Sequence, residues 1–573
     1  MKPLAAVFPA LTLIASASTA QDRRPNIVVI VADDMGYADI GVHGSKDIPT
    51  PNIDALAAGG VRFSDAYVSG PYCSPTRAGL LTGRYPQRFG HEFNIGMIAA
   101  HREAGLPLEE KTLADRLKVA GYRTALIGKW HLGSASRFFP TKRGFDEFFG
   151  FLPGSHAYDA AQVAANPIYD GEEKVQHIPY LTDTLSDRAV EFITRNSARP
   201  FFLYLAFNAV HVPLQATDKY LARFPTITDE SRRRHAAMLS AMDDGVGRVV
   251  DALRKSNLEE NTLIVFFSDN GGPIVEEMWN GSSNAPLRGS KAQTWEGGIR
   301  VPFIVRWKGR VPEGKTYSPP IIQLDVMPTA LAAAGVSVPN EWKLDGVNLI
   351  PYLTGTASGA PHEALFWRLG ATMAVRKGPW KLVKWFPGGG QQDPSTLTLT
   401  GAQLFNLHDD IGEQTDLAAK YPEHVKDLAS IWQRWASQLT APRWQAPQAT
   451  RAGAARCTNA PADDPVSLYA GTWRGASPVG MSWTWTQHAD STGTFSFRRD
   501  TIAVPTRLLF ASTDSVMFEL TRGVSTPARA VEDTRIRVVG YACGNEMSGL
   551  VYVTGPNQRS QRVPFDALRN VSR

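Results

Sequence analysis

Four short apolar runs, each ending in chelating or cationic residues, constrain this chain more than anything else in its sequence. The run from Asn26 to Val31 leads into Asp33 and Asp34, and the run from Tyr122 to Ile127 leads into Lys129 and His131. Phe201 to Phe207 leads into Asn208 and His211, and Leu263 to Phe267 leads into Ser268, Asp269 and Asn270. Continuous apolar runs alternating with amphipathic stretches predict an α/β fold with a large, mixed, mostly parallel sheet flanked by helices. Open sheets of this kind hold ligands in the crevice beyond the carboxyl ends of their strands, so the four clusters should converge on one site. Any one cluster could be a turn, because Asp, Asn, Gly and His turn well. Four of them in register point to chemistry.

A fifth segment supplies a nucleophile. In Cys73-Ser74-Pro75-Thr76-Arg77, Pro75 suits the first position of a helix and Gly83 suits its stop, which sets Cys73 beside unpaired backbone N–H groups. Such groups bind anions, and Arg77 adds a permanently charged fork for oxyanions. An isolated cysteine would more simply be buried or disulfide-paired. Here, however, the whole Cys-x-Pro-x-Arg pattern, with Leu81-Thr82-Gly83-Arg84 trailing it, resembles the signature of the type I sulfatases. These are the formylglycine-dependent arylsulfatases of the alkaline phosphatase-like superfamily, and the resemblance spans about Pro25 to Leu439.

That resemblance carries specific expectations. It implies that Cys73 is oxidised by a formylglycine-generating maturation enzyme to an aldehyde, whose hydrate attacks sulfur and later expels sulfate without a separate water attack. It matches Asp33, Asp34, Asp269 and Asn270, with the modified Cys73, to the family's divalent metal ligands. All four side chains offer oxygen, so the ion expected is hard, calcium first and magnesium second. Lys129 and Lys291, the latter in the stretch from Gly289 to Pro302, are implied to grip sulfate oxygens, with His211 near the leaving group, His131 as a base and Arg77 holding the hydrate. Expelling an alkoxide from an anionic centre needs fixed positive charge and a proton source, which this set contains. The substrate expected is a sulfated carbohydrate or an aryl sulfate. Two rivals remain at this point: a phosphatase or phosphonate monoester hydrolase of the same superfamily, and an unmatured glycan-binding protein.

The rest of the chain bounds the setting. Lys2, an apolar stretch from Pro3 to Ala17 and small residues to Ala20 have the layout of a signal peptide, so export to the periplasm or medium is expected. No later segment is apolar for the roughly 20 residues a spanning helix needs, so no integral membrane segment should survive cleavage. Export favours pairing Cys457 with Cys543 and leaves Cys73 unpaired. The formal charge of +5 is thinly spread, and its densest run, Arg232 to Arg234, reads as a solvated helix face rather than a nucleic-acid patch.

With 573 residues, more than one domain is expected. The catalytic α/β domain should run over 21–340 and a smaller antiparallel-sheet subdomain over 341–440. The latter should contain a hairpin turning near Lys377-Gly378-Pro379 and a helix from Pro422 to Leu439. A linker at 441–455 should precede an all-β accessory domain at 456–573, a small sandwich or barrel read from six alternating runs between Met481 and Thr554. Trp473, Trp483 and Trp485 could stack on sugars or pack a core.

Overall fold

The computed structural model describes residues 24–96, 101–159, 162–163, 166–275, 279–386 and 388–445, followed by the strands of a C-terminal barrel between 471 and 569. The signal-peptide reading, Cys457 and most of the expected linker lie outside the described residues, as does the side chain of Cys543. The catalytic body is built on a ten-stranded sheet. Its centre is parallel and places the four expected strands side by side: Thr262–Ser268, Asn26–Ala32, Phe201–Ala206 and Arg123–Lys129. Glu147–Phe151 continues the parallel run, while Phe303–Arg306 pairs antiparallel on the other side, making the sheet mixed.

Alternation along one strand explains why these runs are apolar throughout. Val28 and Ile30 belong to a core completed by the helices Leu181–Arg195 and Glu230–Lys255. Ile27, Val29 and Val31 belong to a second core with the helices Cys73–Thr82, Leu113–Val119 and Val326–Ala333. Each such side chain contributes about 1.5–3 kcal/mol by leaving water, so a register slip would find no solvent-tolerant face. Gly128, one residue before Lys129, has φ +116°, and a Cβ there would lie 1.8 Å from the Ala206 carbonyl oxygen. Only glycine lets these two strand ends approach so closely.

The second unit is a four-stranded antiparallel sheet of Leu365–Leu369, Thr372–Lys377, Trp380–Lys384 and Gln403–Asn406. The helix Pro422–Ala436 covers it through Leu428, Ile431, Trp432 and Trp435. It ends short of the sequence expectation because Leu439 packs on the same core from the turn beyond it. Tyr67, Trp295, Ile299 and Leu324 of the catalytic body share that core, which fuses the two units. Among the described residues no helix is long and apolar enough to cross a membrane.

The C-terminal strands form a closed eight-stranded antiparallel barrel, which decides between the sandwich and barrel expectations. Closure comes from Gly471–Ala476 pairing with Ser560–Arg569. Trp485 is fully buried, and its backbone pairs in register with that of residue Trp473. The side chains of Trp473 and Trp483 lie outside the described residues, so the core reading is borne out for Trp485 alone.

Candidate active site

The helix carrying the nucleophile begins at Cys73 itself, with Tyr72 as its N-cap, so Pro75 is its third residue rather than its first. The difference costs nothing, because N–H groups throughout the first turn have no partner inside the helix. Gly83 ends the helix as expected, with φ 65° and its N–H donating to the Gly79 carbonyl at 2.8 Å. Every residue of this helix is buried. Cys73 Sγ lies 3.5 Å from Asp33 Oδ1 and 3.9 Å from Asp34 Oδ1. Burial pushes the thiol well above its usual range, so an unmodified Cys73 stays protonated.

The strand ends converge as the sheet topology requires. Asp33 and Asp34 close their strand beside Asp269, whose Oδ1 accepts the Asp34 N–H at 3.2 Å. Lys129 Nζ stands 2.6 Å from Asp33 Oδ2, and Lys291 Nζ stands 2.7 Å from Asp34 Oδ1. Arg77 donates to Asp269 Oδ2 through Nε at 3.0 Å and a terminal nitrogen at 2.7 Å. Its remaining donors reach the Lys129 carbonyl and the Tyr204 hydroxyl, so Arg77 chiefly holds a carboxylate in place. Burial, reinforced by Asp269, pushes Asp33 up to about 7 against the pull of Lys129 and Arg77. Burial acts on Asp34 in the same direction, but Lys291, His211 and Lys129 outweigh it and hold that carboxyl below the usual range.

The oxygen donors fit a hard divalent ion. Ligand atoms of Asp33, Asp34, Cys73 and His211 lie within 4.8 Å of one another. Asn270 donates its amide nitrogen to Asp34 Oδ1 at 2.7 Å, which leaves its Oδ1 buried without a hydrogen-bond partner. A buried acceptor with no donor is costly, and a cation satisfies it.

The two histidines present different nitrogens. His211 Nδ1 lies 2.7 Å from the Val212 carbonyl, leaving Nε2 facing Asp34 Oδ2 at 3.5 Å. Burial drives His211 down to about 3 although Asp34 opposes it. His131 Nε2 lies 3.0 Å from the Ile95 carbonyl, and its Nδ1 is buried without a partner. Burial and the nearby Lys129 keep that imidazole neutral.

Several residues support the site in ways that no sequence motif specifies. Ser74 Oγ donates to the His131 carbonyl at 2.7 Å and meets His91 Nε2 at 2.6 Å, tying the nucleophile's helix to the His131 turn. Tyr204 is an ordinary strand aromatic until Arg77 reaches it. Asn280 donates to the backbone carbonyls of Asp34 and Val210, and His235 and Arg232 pin Asp39 beneath the same loop. Around the site Arg88 pairs with Asp345, Glu92 with Arg368 and Asp159 with Gln215, while the Trp279 indole donates to the Ser282 carbonyl and His156 meets the Ala157 carbonyl.

The model of the Sulfatase family matches residues 25–336 of this chain, all of the catalytic sheet included. The chain belongs to the sulfatase family. It is 34% identical over 460 residues to mouse arylsulfatase J, covering 72% of this chain and 76% of that protein. To the dog N-acetylgalactosamine-6-sulfatase it is 35% identical over 449 residues, covering 71% and 84% respectively. The crystal structure of Ps i-CgsB in complex with k-i-k-neocarrahexaose superposes with a TM-score of 0.68 at 39% identity, covering 74% of this chain and 96% of that one. The protein is accordingly a sulfuric ester hydrolase, and the acidic cluster around Asp33 and Asp34 is its candidate metal centre.

Proposed function

We propose that this sulfatase hydrolyses sulfate monoesters on a sugar, using a formylglycine made from Cys73 and a calcium ion held by Asp33, Asp34, Asp269 and Asn270. The observation that carries the reading is the position of Cys73 Sγ, 3.5 Å from Asp33 and 3.9 Å from Asp34, inside a ring of Lys129, Lys291 and Arg77. When present, the aldehyde hydrate supplies the nucleophile and the ion supplies Lewis acidity. The chain's own residues do the rest. Lys129 and Lys291 place fixed positive charge beside Cys73, where sulfate oxygens must sit, and burial keeps water from screening them. Arg77 orients Asp269 rather than the substrate.

Proton traffic falls to the histidines. With Nδ1 donating to the Val212 carbonyl, His211 turns Nε2 toward the reaction centre, and it serves the leaving oxygen as an acid only once Nε2 has gained a proton in the loaded site. His131, fixed by the Ile95 carbonyl through Nε2, keeps Nδ1 as the free base. A sugar substrate is supported by the relatives, one named for N-acetylgalactosamine 6-sulfate and another solved with a neocarrahexaose. Export, with cleavage after Ala20, belongs to the same proposal, and N-terminal sequencing of the mature protein tests it.

Peptide mapping of active enzyme should find the Cys73 peptide carrying an aldehyde in place of the thiol, and Cys73→Ala should fold but not turn over. Rates on aryl sulfate should far exceed rates on the matching aryl phosphate. An active enzyme with an unmodified thiol, or a strong phosphate preference, overturns the proposal.

A further inference from the structure

The turn that carries His211 follows the strand Phe201–Ala206 and is anchored unevenly. Its first half is tied to the Asp33–Asp34 loop in both directions: the Asp33 N–H donates to the Ala209 carbonyl at 2.9 Å, and the Val210 N–H donates to the Asp33 carbonyl at 2.7 Å. Beyond it the chain runs outward to Val212, which is 41% exposed. His211 sits between the two. Its imidazole bonds to the carbonyl of its own neighbour Val212, and a bond within one dipeptide cannot fix the ring relative to Asp34 or Cys73. The ring therefore goes where the local backbone goes.

One buried side chain holds that backbone. The Tyr158 hydroxyl lies 2.6 Å from the Asn208 carbonyl and 2.8 Å from the His211 carbonyl, the first and last residues of the turn. The Asn208 carbonyl also accepts the His211 N–H at 2.9 Å, so it is the His211 carbonyl that depends on the phenol. Tyr158 is itself immobilised. It is fully buried, its ring stacks on Tyr180 at 5.9 Å, its N–H donates to Gln215 Oε1 at 2.9 Å, and its carbonyl accepts the Leu181 N–H at 2.7 Å. Burial pushes the phenol well above its usual range, which keeps it a donor.

We propose that Tyr158 is a positioning residue for leaving-group departure, its hydroxyl setting the place of His211 Nε2 by holding the His211 carbonyl. The inference rests on the role given to His211 above. As the bond from sulfur to the leaving oxygen breaks, that oxygen keeps the electron pair and takes the proton from Nε2, so the donor must stand within hydrogen-bond reach of it. A small displacement of that nitrogen is enough to lose the transfer.

Tyr158→Phe keeps the ring and removes only the hydroxyl. Aryl sulfates running from nitrophenyl through phenyl to methoxyphenyl sulfate read the effect, because a good leaving group departs without a proton and a poor one needs it. The parameter to follow is kcat/KM, which covers the steps through ester cleavage. It should fall by no more than about twofold on nitrophenyl sulfate and by about tenfold on methoxyphenyl sulfate. His211→Ala should steepen the same dependence, and adding Tyr158→Phe to it should cost nothing further. A merely structural loss would lower every rate by one factor and add to that of His211→Ala. Should Tyr158→Phe fail to fold, Gln215→Ala, which frees the Tyr158 N–H at a part-buried position, should steepen the series severalfold. An equal loss across the series, or none, in the folded variant overturns the positioning role while His211→Ala still steepens it. If His211→Ala does not steepen it, the role of His211 itself fails and the inference falls with it.

Discussion

Removing Lys381 tests whether the second sheet is locked to the catalytic body by charge. Its Nζ lies 2.8 Å from Glu296 Oε1 and 2.9 Å from Glu413 Oε1, and all three side chains are fully buried. Glu296 keeps other partners, Arg300 at 3.2 Å and the Tyr67 hydroxyl at 2.6 Å, while Glu413 also accepts the Glu296 N–H at 2.7 Å. Lys381→Met leaves Glu413 without its cation, so once that group ionises above neutral pH the stranded carboxylate costs about 3–5 kcal/mol. The pH dependence gives the sharper signature. Burial pushes Glu413 up to about 7, with Lys381 opposing and Glu296 adding to the shift. An acid whose folded pKa is raised holds its proton more tightly when folded. Its stabilising contribution is therefore complete below the ordinary glutamate value and is lost as pH climbs through the folded one. Without Lys381 the folded pKa rises further, so the gap between parent and variant should widen above about pH 7, by up to ~1.4 kcal/mol per pH unit. Urea unfolding of the full chain, followed by tryptophan fluorescence across neutral to mildly alkaline pH, measures both numbers. Adding Glu413→Gln to the variant should recover most of the loss and abolish the extra slope. A loss below about 1 kcal/mol that is independent of pH would mean the cluster behaves like a solvated surface pair, and the argument fails.

Three further outcomes are expected. Asn280→Ala leaves the carbonyls of Asp34 and Val210 without their side-chain donor, so it should cost about 1–3 kcal/mol in denaturation and lower kcat on an aryl sulfate. His362 would be lowered by burial, but Asp325 at 2.8 Å outweighs this and raises it. That contribution is full below the ordinary histidine pKa and lost as pH rises through the raised one, so His362→Asn should flatten the decline of Tm across that window. Calcium should raise Tm more than equimolar magnesium, by the equivalent of about 2.7 kcal/mol at a hundredfold excess over Kd, and Asn270→Ala should remove most of the gain.

Why some of this was legible in the sequence and some was not follows from the range of the interactions. Parallel strands buried on both faces read as unbroken apolar runs, so Asn26–Ala32 and its three partners, together with the residues beyond their ends, were local signals. Cys73, Pro75, Arg77 and Gly83 lie within one helix and its stop. Tyr204, Asn280, His91 and the Lys381 cluster act across long stretches of chain through residues of ordinary identity, and no spacing rule finds them. Lys381 left one trace, a cation at an interior position of the run from Trp380 to Lys384. The barrel shows the same limit from the other side. Its six alternating strands were readable, whereas the two that close it were not: Gly471–Ala476 has two glycines and Ser560–Arg569 contains Pro564, both of which weaken a strand pattern. Sandwich or barrel was decided by a pairing between segments some ninety residues apart.

That closing pair has an architectural consequence. Trp473, just inside the first barrel strand, stands opposite Arg569 at the end of the last, so the polypeptide arrives and departs at one rim, on adjacent strands about 5 Å apart. A module whose two ends emerge side by side can be grafted into a loop of another protein, or removed from this one, without prying its own fold open. A segment grafted directly after Arg569 would start beside the first barrel strand, not at the opposite pole of the barrel.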